Sequence, residues 1–85
     1  MNWQLVVDPY ARKYLKRIPR SDAERITAAL KEVIINPFAG DIDKMEGEEN
    51  VWRRRVGSYR IFYEIHTAKK LINVFEIQRR TSITY

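Results

Sequence analysis

Residues 51–65 read Val-Trp-Arg-Arg-Arg-Val-Gly-Ser-Tyr-Arg-Ile-Phe-Tyr-Glu-Ile, two β-prone stretches hinged on a Gly-Ser pair. β-branched and aromatic residues on either side of a two-residue turn specify a β-hairpin. A third run over 71–78, reached through His66-Thr67-Ala68-Lys69-Lys70, extends the hairpin into a three-stranded antiparallel meander. Such a sheet is stable only when another layer covers its apolar face. Whatever precedes residue 51 must supply that cover.

The preceding residues do so with two amphipathic helices. Trp3-Gln4-Leu5-Val6-Val7 is short, apolar and partly β-branched, which predicts a strand. Asp8-Pro9 then offers an N-cap followed by proline at the first helical position. Tyr10, Ala11, Tyr14, Leu15 and Ile18 recur at helical spacing, and Pro19 stops the helix. Ser21-Asp22-Ala23-Glu24 has the form of a capping box. Ile26, Ala29, Leu30, Val33 and Ile34 make the stripe of a second helix, which Asn36-Pro37 ends. Residues 37–50, rich in acid with Gly and Pro, read as a loop. The expectation is one α+β domain over residues 1–85. Its order is β-α-α-β-β-β: an N-terminal strand, a helical hairpin, then the meander, with both helices on one face of the sheet.

The other face is left open, and strand parity says what it carries. Tyr59, Ile61, Tyr63 and Ile65 share the helix-facing side, with Trp52 and Val56 on the neighbouring strand. Arg53, Arg55, Arg60, Phe62 and Glu64 point outward, and the last strand adds Glu76, Gln78 and Arg80. Arg54 falls on the inward parity, and its head is expected to snorkel to the sheet edge. Forked guanidinium donors match phosphate geometry, so Arg53, Arg55, Arg60 and Arg80 together suit a phosphate. Phe62 and Tyr85 could stack bases. The plainer alternative is ordinary surface pairing of these arginines with Glu64 and Glu76.

Charge favours the first reading. Residues 1–50 hold eight Lys/Arg against nine Asp/Glu, whereas residues 51–85 hold eight against two. A one-sided basic field attracts polyanions, a nucleic acid or an acidic protein.

Much chemistry is excluded by composition. There is no Cys, so neither a disulfide nor a thiolate metal site can form, and His66 is the only histidine. His66 reads as a solvated turn residue. Asp41, Asp43, Glu46, Glu48 and Glu49 follow no cation-loop spacing and read as a solvated acidic loop. No phosphate-binding glycine loop or nucleophile elbow occurs. No metal and no cofactor is expected. No apolar run approaches ~18 residues and the start lacks signal-peptide order, so a cytoplasmic protein without membrane contact is expected. An enzyme built from Arg, Lys, Tyr and one carboxylate can still cut RNA. The 2′-OH of RNA is itself the nucleophile, and the protein need only orient the chain and stabilise charge on phosphorus. DNA lacks that hydroxyl.

Over essentially its whole length the chain resembles the RelE/ParE superfamily of type II toxins. The resemblance is carried by Asp8-Pro9, Lys44-Met45-Glu46-Gly47, Trp52-Arg53-Arg54-Arg55-Val56, Tyr59-Arg60-Ile61-Phe62-Tyr63-Glu64-Ile65 and Glu76-Ile77-Gln78-Arg79-Arg80. It is strongest toward the RelE branch, which cleaves mRNA in the ribosomal A site, and implies a metal-independent mRNA interferase that inhibits translation. The ParE branch implies the alternative, a non-catalytic inhibitor of DNA gyrase. A third reading is a degenerate toxin that only binds its antitoxin and operator DNA.

By the RelE likeness the catalytic set is Arg60, Arg80, Arg55 and Tyr85. Arg60 would stabilise the pentacoordinate phosphate, Arg80 would assist the leaving 5′-oxygen, and Tyr85 would orient the nucleotide. Arg53, Phe62 and Arg79 would bind substrate. Some relatives place a lysine base where this chain has Arg55, and arginine, always protonated, is a poor base. Others use an acid in the preceding loop, which makes Asp43 the candidate base. A histidine common before the terminal arginines is replaced by Gln78, so proton removal falls to Asp43 or to water. The implied partners are mRNA and the ribosome, and a cognate antitoxin with an acidic C-terminal segment. Operator DNA would be met only through the antitoxin complex.

Overall fold

The computed structural model describes residues 3–79. The elements run β1 (Gln4–Val7), α1 (Pro9–Arg17), α2 (Arg20–Ile35), β2 (Ile42–Lys44), β3 (Val51–Val56), β4 (Tyr59–His66), a 3-10 turn (Thr67–Lys69) and β5 (Leu71–Arg79). They build a five-stranded sheet in the order β1-β5-β4-β3-β2. β1 runs parallel to β5, and every other pairing is antiparallel. This is the expected α+β arrangement, with both helices on one face.

The core lies between that face and the helices. Ala11, Ile26, Leu30 and Val33 come from the helices, and Ile61, Tyr63, Ile65, Ile72, Val74 and Ile77 from the sheet. Two phenols tie the layers. Tyr63 Oη donates to the carbonyl of Pro37 at 3.0 Å, and Tyr59 Oη donates to Asp22 Oδ2 at 2.8 Å. A buried tyrosine needs such a partner because an unpaired hydroxyl in an apolar core is destabilising. Burial pushes the Tyr63 phenol up to about 12, and the hydrogen bond to Asp22 raises that of Tyr59.

Three local expectations are corrected. α2 begins at Arg20 with Pro19 in the cap position, not at Ser21. The Pro19 carbonyl accepts from the N–H groups of Asp22 and Ala23, so the helix starts before the capping box could form, and Asp22 turns to Tyr59. Asp8 does cap α1 by position, with Pro9 at the first helical site, but its side chain makes no capping bond. Residues 37–50 are not all loop. Ile42–Lys44 pairs with β3 and satisfies backbone groups that an edge strand would leave open.

The β3–β4 turn uses Gly57 at φ 57°, a positive value at the first of its two central positions, as a type II′ turn requires. The tight turn fixes the β3–β4 register, and so decides which arginines share a face.

Candidate nucleic-acid interface

On the face away from the helices, register sets the neighbours. Arg55 lies opposite Arg60, and Arg60 opposite Gln78. One step along, Arg53 lies opposite Phe62, and Phe62 opposite Glu76. Two arginines directly across a ladder repel each other, a placement that favours an anion between or above them. The extra strand β2 brings Asp43 opposite Arg53. Its Oδ2 is 3.3 Å from Arg53 Nη2 and 3.7 Å from Arg55 Nη2. The candidate base therefore lies beside the arginine cluster, which its place in a loop could not have established. One carboxylate shared by two guanidiniums leaves an excess of donors facing outward.

Phe62 belongs to this face but is nearly covered, at 9% exposure. What covers it includes Phe75, whose ring lies 6.4 Å away, centroid to centroid, tilted by 46°. Phe75 escaped strand parity because the β4–β5 register shifts between Phe62 and Tyr63: Phe62 pairs with Glu76, but Tyr63 with Val74. One extra residue at the bulge turns Phe75 and Glu76 toward the same side. The run Val74-Phe75, two bulky apolar residues where alternation demands one, was the only sequence sign.

Several candidates sit elsewhere than expected. Arg54 does not snorkel to solvent. It is 8% exposed, ion-paired with Glu32 near the end of α2, and packed against Gly40. Gly40, in the loop after α2, lies against the guanidinium, and Arg54 Nη2 reaches the Glu32 carboxylate, which is itself exposed. Arg79 pairs in register with Tyr59, on the helix-facing parity, so it is not brought to the arginine cluster. His66 ends β4 half-buried rather than sitting in a solvated turn, with Nε2 3.4 Å from Glu64 Oε1. Glu64 also accepts from Asn73 Nδ2. The plainer alternative, surface pairing of arginines with Glu64 and Glu76, thus gives way in part to amide partners, since Glu64 accepts from Asn73 and Glu76 from Gln78. Arg80 and Tyr85 lie outside the described residues.

Among the described residues no group of three His, Cys, Asp or Glu side chains could hold a metal ion, and no helix is long and apolar enough to cross a membrane. What the open face can offer is a set of cations with the Asp43 carboxylate beside two of them, and next to these an aromatic pair flanked by Glu64 and Glu76.

Known proteins share this frame. A family model described as the ParE toxin of type II toxin–antitoxin systems, parDE, matches residues 5–83. A RelE1 protein of Methanocaldococcus jannaschii is 25% identical over 83 residues, covering 94% of this chain and 92% of the relative. The archaeal RelE–RelB complex of Pyrococcus horikoshii contains a chain that superposes with a TM-score of 0.86 at 22% identity, covering 98% of this chain and all of the other. The isolated E. coli RelE toxin gives 0.82 at 19% identity, covering 95% and 87%. A family match from β1 to beyond β5, on a fold shared with RelE, means that this chain belongs to the ParE toxin family of type II toxin–antitoxin systems, within the RelE/ParE superfamily.

Proposed function

We propose that this toxin is a metal-independent endoribonuclease that cuts mRNA, with the ribosome presenting the substrate. The observation that carries the reading is that Arg53 and Arg55 share the Asp43 carboxylate on one open face, with Arg60 directly across the ladder from Arg55. In the proposed reaction Asp43 takes the proton of the 2′-OH, and that oxygen attacks the adjacent phosphorus. The bond to the 5′-oxygen breaks, leaving a 2′,3′-cyclic phosphate and a 5′-hydroxyl that takes up a proton from solvent. Arg60 and Arg55 stabilise the charge on the pentacoordinate phosphate, and Arg53 holds the flanking backbone. Arg80 at the leaving oxygen and Tyr85 against a base complete the proposed set.

The resemblance to a RelE solved with RelB supports a cognate antitoxin as protein partner. Its acidic segment would be drawn to the same arginines that hold phosphate.

A second reading rests on one specific observation, the family model itself, whose description is that of ParE. On that reading the chain blocks DNA gyrase and cuts nothing.

Mapping mRNA 5′ ends after induction separates the two. In-frame cuts within codons, lost in Arg60→Ala with folding retained, are the expected result. Removing one such electrostatic donor lowers the chemical rate by about 10²–10³-fold. Intact mRNA with accumulating double-strand DNA breaks would overturn the nuclease and establish gyrase as the target.

A further inference from the structure

The open face has a second half with different chemistry. Beside the arginines lies a cleft of about 380 Å³, floored by Phe62, Phe75 and Val51 and rimmed by Glu48, Glu64 and Glu76. This volume sits at the small end of ligand sites. Arg53 and Phe62 are register partners, and Arg60 and Phe62 are two residues apart on one side of β4. A phosphate held by the arginines thus leaves its nucleotide within reach of the aromatic floor, roughly 7 Å along the strand.

The rim decides which nucleotide. Carboxylates repel phosphate, so the backbone stays on the arginine side. They accept hydrogen bonds and donate none, so they suit a base edge that carries an amino group. Cytosine N4 and adenine N6 are such donors, whereas uracil presents the O4 acceptor at that edge. Glu64 is already orientated by Asn73 Nδ2 at 3.3 Å and His66 Nε2 at 3.4 Å, and Glu76 by Gln78. Each carboxylate keeps lone pairs for a further donor.

We infer that the Phe62–Phe75 cleft is a nucleobase pocket whose glutamate rim selects amino-bearing bases over uracil. The inference rests on the RNA reading above and names its sequence preference. It also gives the bulge in β5 a purpose, because without that extra residue Phe75 and Glu76 could not face the same side.

The test is fluorescence anisotropy at low salt with labelled 2′-O-methyl hexamers of A, C and U, which resist cleavage. A and C are expected to bind about tenfold tighter than U, the discrimination of one good base contact. Glu64→Gln/Glu76→Gln, on the rim and away from the core, is expected to bring the three within about twofold, because an amide donates as well as accepts. Phe75→Ala should weaken all three by about tenfold through lost stacking. Arg55-dependent binding with no base preference overturns the pocket and leaves the nuclease standing. The same holds if no hexamer binds while Arg60-dependent mRNA cuts occur in cells. A base preference that the glutamate variant abolishes, in a protein that cuts no mRNA, keeps the pocket and overturns the nuclease.

Discussion

The ion pair of Arg54 with Glu32 gives the sharpest test of how β3 is held, because its two ends lie in different surroundings. The Arg54 side chain is 9% exposed and that of Glu32 66%. Glu32→Ala therefore strands a guanidinium in the interior, where its Nε and Nη1 already lack hydrogen-bond partners among the described residues. Breaking a buried pair destabilises by about 3–5 kcal/mol. Exposed pairs are worth about 0.2–1 kcal/mol. With one end in each regime, a loss of roughly 2–3 kcal/mol is expected. Local helix effects run the other way. Alanine is the better helix former, and an acid in the last turn of α2 opposes the helix dipole. A net loss is then attributable to the stranded charge.

Arg54→Met removes that charge, keeps an unbranched apolar side chain at this buried position and leaves Glu32 solvated. It should change stability by less than about 1 kcal/mol. The double variant should match Arg54→Met alone, which gives a coupling energy of about 2 kcal/mol. Urea unfolding followed by tryptophan fluorescence reads this directly. With a slope of about 1–1.5 kcal/mol per molar for a chain this small, Glu32→Ala lowers the midpoint by about 2 M. A Glu32→Ala protein within about 0.5 kcal/mol of the parent, inside the range of neutral surface changes, would refute the reasoning. So would an Arg54→Met protein that is the less stable of the two.

Three further outcomes are expected. Asp43→Asn frees Arg53 and Arg55 from their shared carboxylate, so binding of 2′-O-methyl RNA should tighten while cleavage falls by about 10²–10⁴-fold, the contribution of a general base; unchanged cleavage would remove Asp43 from the chemistry. Gly40 has φ +89° and a Cβ there would lie 2.9 Å from Arg54 Cζ, whereas Gly47, at φ +78°, has nothing within 4 Å. Gly40→Ala should therefore lower the urea midpoint clearly more than Gly47→Ala, which carries only the backbone strain of about 1 kcal/mol. Tyr63 titrates near 12 when folded against about 10 when unfolded. Below pH 10 both states keep the proton; above it the unfolded chain loses the proton first, so stability falls between pH 10 and 12 by up to about 1.4 kcal/mol per pH unit. Thermal melts should lose part of that slope in Tyr63→Phe, and identical slopes would contradict the burial of this phenol.

By itself the sequence determined the layers. The alternation of Tyr59, Ile61, Tyr63 and Ile65 against Arg60, Phe62 and Glu64, hinged on Gly57-Ser58, defines a hairpin with one apolar and one cationic face. Period-two and helical spacings are local properties, readable wherever the chain is regular. Tertiary structure decided everything that depends on two distant segments meeting. Strand β2 exists because β3 offers it an edge, and only that pairing carries Asp43 to Arg53 and Arg55. Arg54 is buried because α2 supplies Glu32 and the following loop supplies Gly40. Phe75 reaches the open face through a bulge fixed by the partner strand, and Arg79 leaves it through its register with Tyr59. Such placements follow from long-range register, and a one-residue slip turns a side chain to the opposite face.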